Sequence, residues 1–276
     1  MSDEQRRQRG CAAREWCREP RGRDTRSTRL RYLVLSDIHA NLEALDACLG
    51  DARARGFDRT LVLGDLVGYG ADPNAVIERI LALRPEAIVR GNHDKAAAGL
   101  DDAEGFNTVA RSAARWTFDA LAPERRAWLA ALPAGPIAAD DLVEICHGSP
   151  LDEDAYLFDE LDAIRALGAA ARPLCLFGHT HFPIAFALWE GALDVMGPST
   201  AAHAALALRP GGKYLLNPGS VGQPRDGDPR AAYAIVDVER KQVELTRLEY
   251  PVEQAGAKIL EAGLPPVLAE RLARGR

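Results

Sequence analysis

Leu33-Val34-Leu35-Ser36-Asp37-Ile38-His39-Ala40-Asn41 is the stretch whose reading decides the fold. Residues 32–35 form a short apolar run, the pattern of a strand buried on both faces of an α/β sheet. The run ends in a polar turn carrying one carboxylate and one imidazole, two residues apart, at the strand's carboxyl end, where open α/β sheets bind ligands. Three later apolar runs end the same way. Leu61-Val62-Leu63 leads into Gly64-Asp65, Ala87-Ile88-Val89 into Arg90-Gly91-Asn92-His93-Asp94, and Leu174-Cys175-Leu176-Phe177 into Gly178-His179-Thr180-His181. Val143-Glu144-Ile145-Cys146 adds His147. Asp, His and Asn gathered at the ends of neighbouring strands make a metal site, with enough ligands for two ions.

Around the first run the chain alternates strand and helix. Asn41 stands at an N-cap position, and Leu42, Leu45, Leu49 and Ala52 follow at helical spacing up to Gly56. A second strand spans 60–63, Asp72-Pro73 opens a second helix, and a third strand spans 87–89. Strand, helix, strand, helix, strand is the signature of a parallel sheet. Residues 107–121 and 123–132 read as helices, with Trp116, Phe118 and Trp128 as packing anchors. A hairpin-like pair around Ile137 and 142–146 precedes His147, a helix is expected at 158–171, and a strand at 173–177. From residue 184 the pattern turns to short strands, at 184–189, 213–216, 232–238 and 242–248, suggesting a second, largely antiparallel sheet. Two short helices, 252–262 and 265–274, close the chain.

Composition narrows the class. The chain has 276 residues, 47% apolar and 27% charged, with a net charge of −6, ordinary values for a globular domain. Residues 1–29 carry nine Arg against five acids, which leaves 25 basic and 35 acidic side chains, a net −10, for the rest. An acidic body offers no electrostatic case for nucleic acid or an anionic membrane, so neither is an expected partner. The Arg-rich start lacks the apolar core of a signal peptide and reads as a disordered extension, leaving residues 30–276 as one domain. Five cysteines without a CxxC pair argue for free thiols in a reducing cytoplasm, and no stretch approaches the ~18 apolar residues of a membrane span.

Taken in order, Asp37-x-His39, Gly64-Asp65, Gly91-Asn92-His93-Asp94, His147 and Gly178-His179-x-His181 resemble the motifs of the calcineurin-like metallophosphoesterases. The loop Asn217-Pro218-Gly219-Ser220-Val221-Gly222 is similar to one in that family's small prokaryotic phosphodiesterase-like branch. The resemblance implies an αββα sandwich, two packed mixed sheets flanked by helices, with the metals at strand ends along one edge. It implies that Asp37, His39 and His181 hold one divalent ion, that Asn92, His147 and His179 hold a second, and that Asp65 bridges them. It further implies hydrolysis of a phosphodiester or phosphomonoester by a hydroxide shared between the ions, with His93 as proton donor to the leaving group. Asp94 could orient His93, and Arg90 could bind a phosphate oxygen; a helix cap or a salt bridge would explain either residue as well.

The donors themselves are oxygen and imidazole, which fit manganese foremost and also iron, nickel or zinc, and disfavour a structural zinc that would recruit cysteine. Five of the six histidines occupy motif positions, His203 alone falling outside. Residues 64–70, Gly-Asp-Leu-Val-Gly-Tyr-Gly, lack the arginine that follows the second motif in Ser/Thr phosphatases and diadenosine tetraphosphate hydrolases, which weakens both assignments. Two rivals remain. A non-catalytic metal-bound scaffold for proteins would have no reason to keep His93 beside a full ligand set. A nuclease would want a basic, aromatic groove that the sequence does not offer. The 217–222 loop either packs on the GHxH turn or contacts substrate.

Overall fold

The computed structural model describes residues 30–197 and 201–276; the extension expected over residues 1–29 lies outside the described residues. The first run is strand β1 (Arg31–Leu35). Its side chains alternate between two cores: Tyr32 and Val34 face the interior between the sheets, Leu33 and Leu35 the outer helical layer. A strand buried on both sides has no polar face, which is why the run reads as unbroken hydrophobicity. Helix α1 (Leu42–Arg55) follows, capped by Asn41, whose side-chain oxygen accepts from Ala44 N at 3.1 Å. Strand β2 (Arg59–Val62), helix α2 (Pro73–Leu83) and strand β3 (Ala87–Ile88) complete the parallel unit.

The middle of the chain holds helices α3 (Asn92–Ala98), α4 (Thr108–Ala120) and α5 (Pro123–Ala130), then strands β4 (Ile137–Ala138) and β5 (Val143–Ile145), helix α6 (Glu160–Ala169) and strand β6 (Leu174–Leu176). Six strands follow: β7 (Ile184–Trp189), β8 (Ala192–Met196), β9 (His203–Ala207), β10 (Lys213–Asn217), β11 (Ala231–Asp237) and β12 (Gln242–Leu248). Helices α7 (Val252–Glu261) and α8 (Pro266–Arg274) end it.

These elements make two six-stranded mixed sheets, ordered β3-β2-β1-β11-β12-β9 and β4-β5-β6-β10-β7-β8. The strands after residue 184 do not form the separate antiparallel sheet the pattern suggested. They divide: β9, β11 and β12 extend the first sheet and β7, β8 and β10 the second. Hydrophobic alternation marks a face as buried without saying against which partner, so sheet membership was not readable. Three elements were unexpected. Helix α3 starts on the Asn92 motif itself, β8 has a largely exposed pattern, and β9 is Ala-rich and short.

Between the sheets, Tyr32, Val34, Leu61 and Leu63 meet Val143, Ile145, Leu174, Leu176 and Leu216. Helices α1 and α2 cover the first sheet, with Trp128 packed at the edge of that core. Helix α6 covers the second through Ala163, Ala166 and Leu167 against Cys175, Phe177, Phe186 and Leu215. Cys146 and Cys175 are buried free thiols with sulfurs 3.7 Å apart, acting as small apolar side chains. Helices α7 and α8 pack with α4 and Trp116 around Tyr69, near the ends of β1 and β2. No helix among the described residues is long and apolar enough to cross a membrane.

Leu216 sits fully buried on β10 between the sheets. Leu216→Ala leaves a cavity there and is expected to cost about 2–5 kcal/mol. Urea unfolding of wild type and variant measures this; a loss below 1 kcal/mol would show that the inter-sheet space is not close-packed.

Candidate metal centre

The strand-end turns converge. Asp37 and His39 follow β1, Asp65 follows β2, Asn92 opens α3 beyond β3, His147 follows β5, and His179 and His181 follow β6. Two groups of donor atoms form, Asp37, His39, Asp65 and His181 in one and Asp65, His147 and His179 in the other, each with its atoms within 4.8 Å of one another. Asp65 belongs to both. Asn92 Oδ1 stands 3.3 Å from His147 Nε2 and so borders the second group. All these side chains but Asn92 are buried.

Five of the donor residues sit in the left-handed backbone region: Asp37 (φ 52°), His39 (49°), Asp65 (51°), His179 (66°) and His181 (58°). Each such non-glycine residue costs on the order of 1 kcal/mol and persists only where its surroundings over-determine it. Here the turns hold one another. Asp37 N donates to Gly64 O at 3.1 Å, His39 N to Asp65 O at 2.9 Å, and His179 N to the Asp37 carboxylate at 3.0 Å. Gly91 is required for contact as well as turning: a Cβ there would overlap the Asp65 side chain.

The histidine tautomers follow from their outer partners. Nδ1 of His39 faces Val67 O at 3.1 Å, Nδ1 of His147 faces Leu63 O at 2.8 Å, and Nδ1 of His181 faces Gln223 O at 2.6 Å. A carbonyl can only accept, so each Nδ1 carries the proton and each Nε2 presents a bare lone pair. His39 Nε2 and His181 Nε2 then face one another at 3.0 Å, and His147 Nε2 faces His179 Nδ1 at 3.1 Å. Asp65 Oδ2 lies 3.5 Å from His39 Nε2 and 3.6 Å from His147 Nε2. Inward-facing lone pairs and carboxylates at such range repel unless a cation lies among them.

Protonation states agree. Burial holds His39 and His181 well below the usual imidazole pKa and lowers His179 to about 2, so all three are neutral ligands. Burial pushes Asp37 up to about 7 and raises Asp65 as well. Those carboxylates are costly as anions in a dry site, and a divalent ion would offset that cost. The donor set therefore fits divalent metal.

Two expected roles look different in the structure. Arg90 does not offer its fork to a ligand: Nε and Nη2 bind Glu153 at 3.0 and 2.9 Å. Asp94 makes no hydrogen bond to the His93 ring. Its Oδ1 accepts from Leu66 N and Val67 N at 2.9 and 3.2 Å, and its Oδ2 from Gly91 N at 2.9 Å, so it clamps the loop after Asp65 to the start of α3. Its position three residues after Gly91 is the capping place at a helix start. His93 is buried, its N–H donates to Asp65 Oδ1 at 2.9 Å, and its Nδ1 has no partner. The ring lies among His39, Tyr69 and Phe106, at centroid separations of 5.0, 4.3 and 4.6 Å.

The 217–222 loop packs on the GHxH turn, Asn217 Nδ2 donating to Gly178 O at 2.7 Å and to Thr180 Oγ1 at 3.0 Å. Ser220 Oγ and Gly222 N both donate to Asp37 O, at 2.7 and 3.0 Å. Two features had no sequence signal. Tyr156, from the loop after His147, lays its ring 3.8 Å from the His179 ring and stacks on the exposed Phe158. Arg225, three residues beyond the NPGSVG loop, places its positive charge where Asp37, His39, Asp65 and His181 all feel it.

A two-sheet sandwich with an Asp, His and Asn donor set at its strand ends defines a metal-binding hydrolase of the phosphoesterase type. Residues 30–241 match the calcineurin-like phosphoesterase superfamily domain, and the chain belongs to that superfamily. It is 38% identical over 250 residues to an uncharacterized protein of Methanocaldococcus jannaschii, covering 88% of this chain and 97% of that one. A metallophosphoesterase from Sphaerobacter thermophilus superposes with a TM-score of 0.80 at 39% identity, over 90% of this chain and all of that one. A hypothetical protein from Pyrococcus horikoshii shares the fold at a TM-score of 0.72 and 21% identity, over 90% of this chain and 99% of its own.

Asp94→Ala leaves three buried N–H groups without an acceptor, each worth about 1–3 kcal/mol. Unfolding followed in the presence of a chelator should show a loss of about 3 kcal/mol or more. Unchanged metal-free stability would return Asp94 to a role confined to His93.

Proposed function

We propose that this protein hydrolyses a phosphoester, monoester or diester, using two divalent metal ions held by Asp37, His39, Asp65 and His181 on one side and Asp65, Asn92, His147 and His179 on the other. The observation that carries this reading is the pair of facing lone-pair sets with the Asp65 carboxylate common to both. When bound, divalent ions supply Lewis-acid stabilisation of phosphoryl charge and lower the pKa of the attacking water. Carboxylate and amide oxygens suit manganese and imidazoles suit iron, nickel or zinc, and manganese is the ion proposed here.

The chain's own residues do the rest. Asp65 Oδ1 is held by the His93 backbone N–H, which leaves Oδ2 free between the two histidine groups, where it would serve ions held on either side. The backbone carbonyls behind His39, His147 and His181 keep each ring turned towards the centre. His93 is the proton donor to the leaving oxygen; its Nδ1 is buried against Gly68, which leaves Nε2 to face the centre. Burial, with Arg225 and His147 nearby, keeps it neutral. An arriving phosphoester anion is the charge that lets it take up the proton it later gives.

Purified protein with Mn²⁺ should turn over mono- or bis-nitrophenyl phosphate and carry two ions per chain by elemental analysis. Asp65→Asn should abolish turnover and weaken both ions, whereas Asp37→Asn should weaken chiefly one; identical metal loss in the two variants would remove the case for Asp65 as bridge.

His93→Ala should keep both ions. It should cost roughly 10²–10⁴-fold on an alkyl phosphoester, whose leaving group needs a proton, and little on nitrophenyl esters. Equal losses on good and poor leaving groups would mean that His93 does not protonate the leaving oxygen.

A further inference from the structure

We infer that Arg225 is the residue that grips the substrate's phosphoryl group, and that it tilts the site towards dianionic monoesters over diesters. The inference rests on the phosphoesterase reading above and concerns a residue outside every motif that defines the metal ligands.

Position comes first. Val221 N donates to Ser36 O at 2.9 Å and Gly222 N to Asp37 O at 3.0 Å, and Gly222 packs so closely that a Cβ would overlap the Ile38 carbonyl oxygen. Gln223 O then accepts from His181 Nδ1 at 2.6 Å. The loop is thus pinned to the β1 turn and to a metal-ligand histidine two residues before Arg225, which is half-buried and near enough for its charge to act on Asp37, His39, Asp65 and His181.

Pairing comes second. The other cations around the centre are spoken for: Arg90 by Glu153, and Lys95 by Glu153 and Asp154. The acids beside Arg225 in its own loop are also taken, Asp226 by Arg247 and Asp228 by Arg230 at 3.0 Å. Among the described residues no acid pairs with Arg225, and its Nε is buried with no hydrogen-bond partner. A guanidinium left unpaired next to a site for divalent cations opposes their binding by like-charge repulsion. That arrangement is sensible when an anion comes to lie between the two.

The anion's chemistry follows from the fork. Guanidinium nitrogens meet two oxygens of a phosphoryl group in one plane. A monoester dianion has three non-bridging oxygens, enough to serve both metals and still offer one to Arg225. A diester has only two and one negative charge less. The residue therefore does from the 217–230 loop what an arginine after the second motif would do, in a chain whose second motif has none.

The test uses wild type, Arg225→Lys and Arg225→Met at saturating Mn²⁺. Three readouts are needed: metal content, kcat/KM on mono- and bis-nitrophenyl phosphate, and calorimetric binding of inorganic phosphate. Arg225→Met should retain its ions, lose about 10–100-fold on the monoester, the scale of one charge-assisted hydrogen bond, and bind phosphate correspondingly more weakly. Its loss on the diester should be several-fold smaller. Arg225→Lys keeps the charge without the fork and should fall between, and it carries the test if Arg225→Met does not fold. Equal losses on both esters, or unchanged phosphate affinity with metals retained, would overturn the inference. Should wild type hydrolyse neither ester, the phosphoesterase reading fails, and phosphate binding to the metal-loaded proteins still decides the role of Arg225.

Discussion

Asp37 is tied to three of the segments that build or support the centre. Its N–H donates to the turn after β2, its carboxylate accepts from the backbone of His179 and from Ser36 Oγ at 2.6 Å, and its carbonyl accepts from Ser220 and Gly222. One residue thus joins the end of β1 to its neighbour in the same sheet, to the end of β6 in the other sheet, and to the loop after β10. The sheets could pack face to face at a range of angles on hydrophobic contact alone, since burial is not directional. Directional bonds to a buried carboxylate select one arrangement. That arrangement sets His39 of the first sheet against His181 of the second at 3.0 Å.

The same bonds explain how strained turns survive. The donor residues that occupy left-handed backbone are each held by a neighbouring turn, so the strain at one is balanced by hydrogen bonds made by another. Asp94 contributes by clamping residues 66 and 67 to Gly91, and Gly91 in turn lies against Asp65. Preorganisation of this kind keeps ligand atoms converged where freely rotating side chains would part.

Much of this was legible in the sequence for a simple reason. A strand buried on both faces is an apolar run, and a polar residue just beyond it has few places to go except the sheet's end. Spacing could therefore set Asp37, His39, Asp65, Asn92, His147, His179 and His181 at the strand ends, and the resemblance to the family singled them out from His93 and Asp94. Arg90 and Asp94 could not, because their partners are distant: Glu153 lies 63 residues on, and Asp94 binds backbone groups that carry no sequence signature. The distribution of the later strands was equally hidden, since β11 pairs with β1 across some two hundred residues of chain. Arg225 gave no signal because its significance lies in what it fails to pair with.

That long-range pairing has a consequence for how the protein comes into being. β1 is made early, yet one of its two edges is closed only by β11, which begins at Ala231. While the ribosome works through the intervening chain, an apolar strand stands with one row of backbone groups open, the kind of edge on which chains join one another. The carbonyl that orients His181 belongs to Gln223 and is made later than any of the donors. Contacts this far apart in sequence form slowly. The full donor set is accordingly assembled only once residues 223–237 have joined the fold, and until then β1 stands with one edge uncovered.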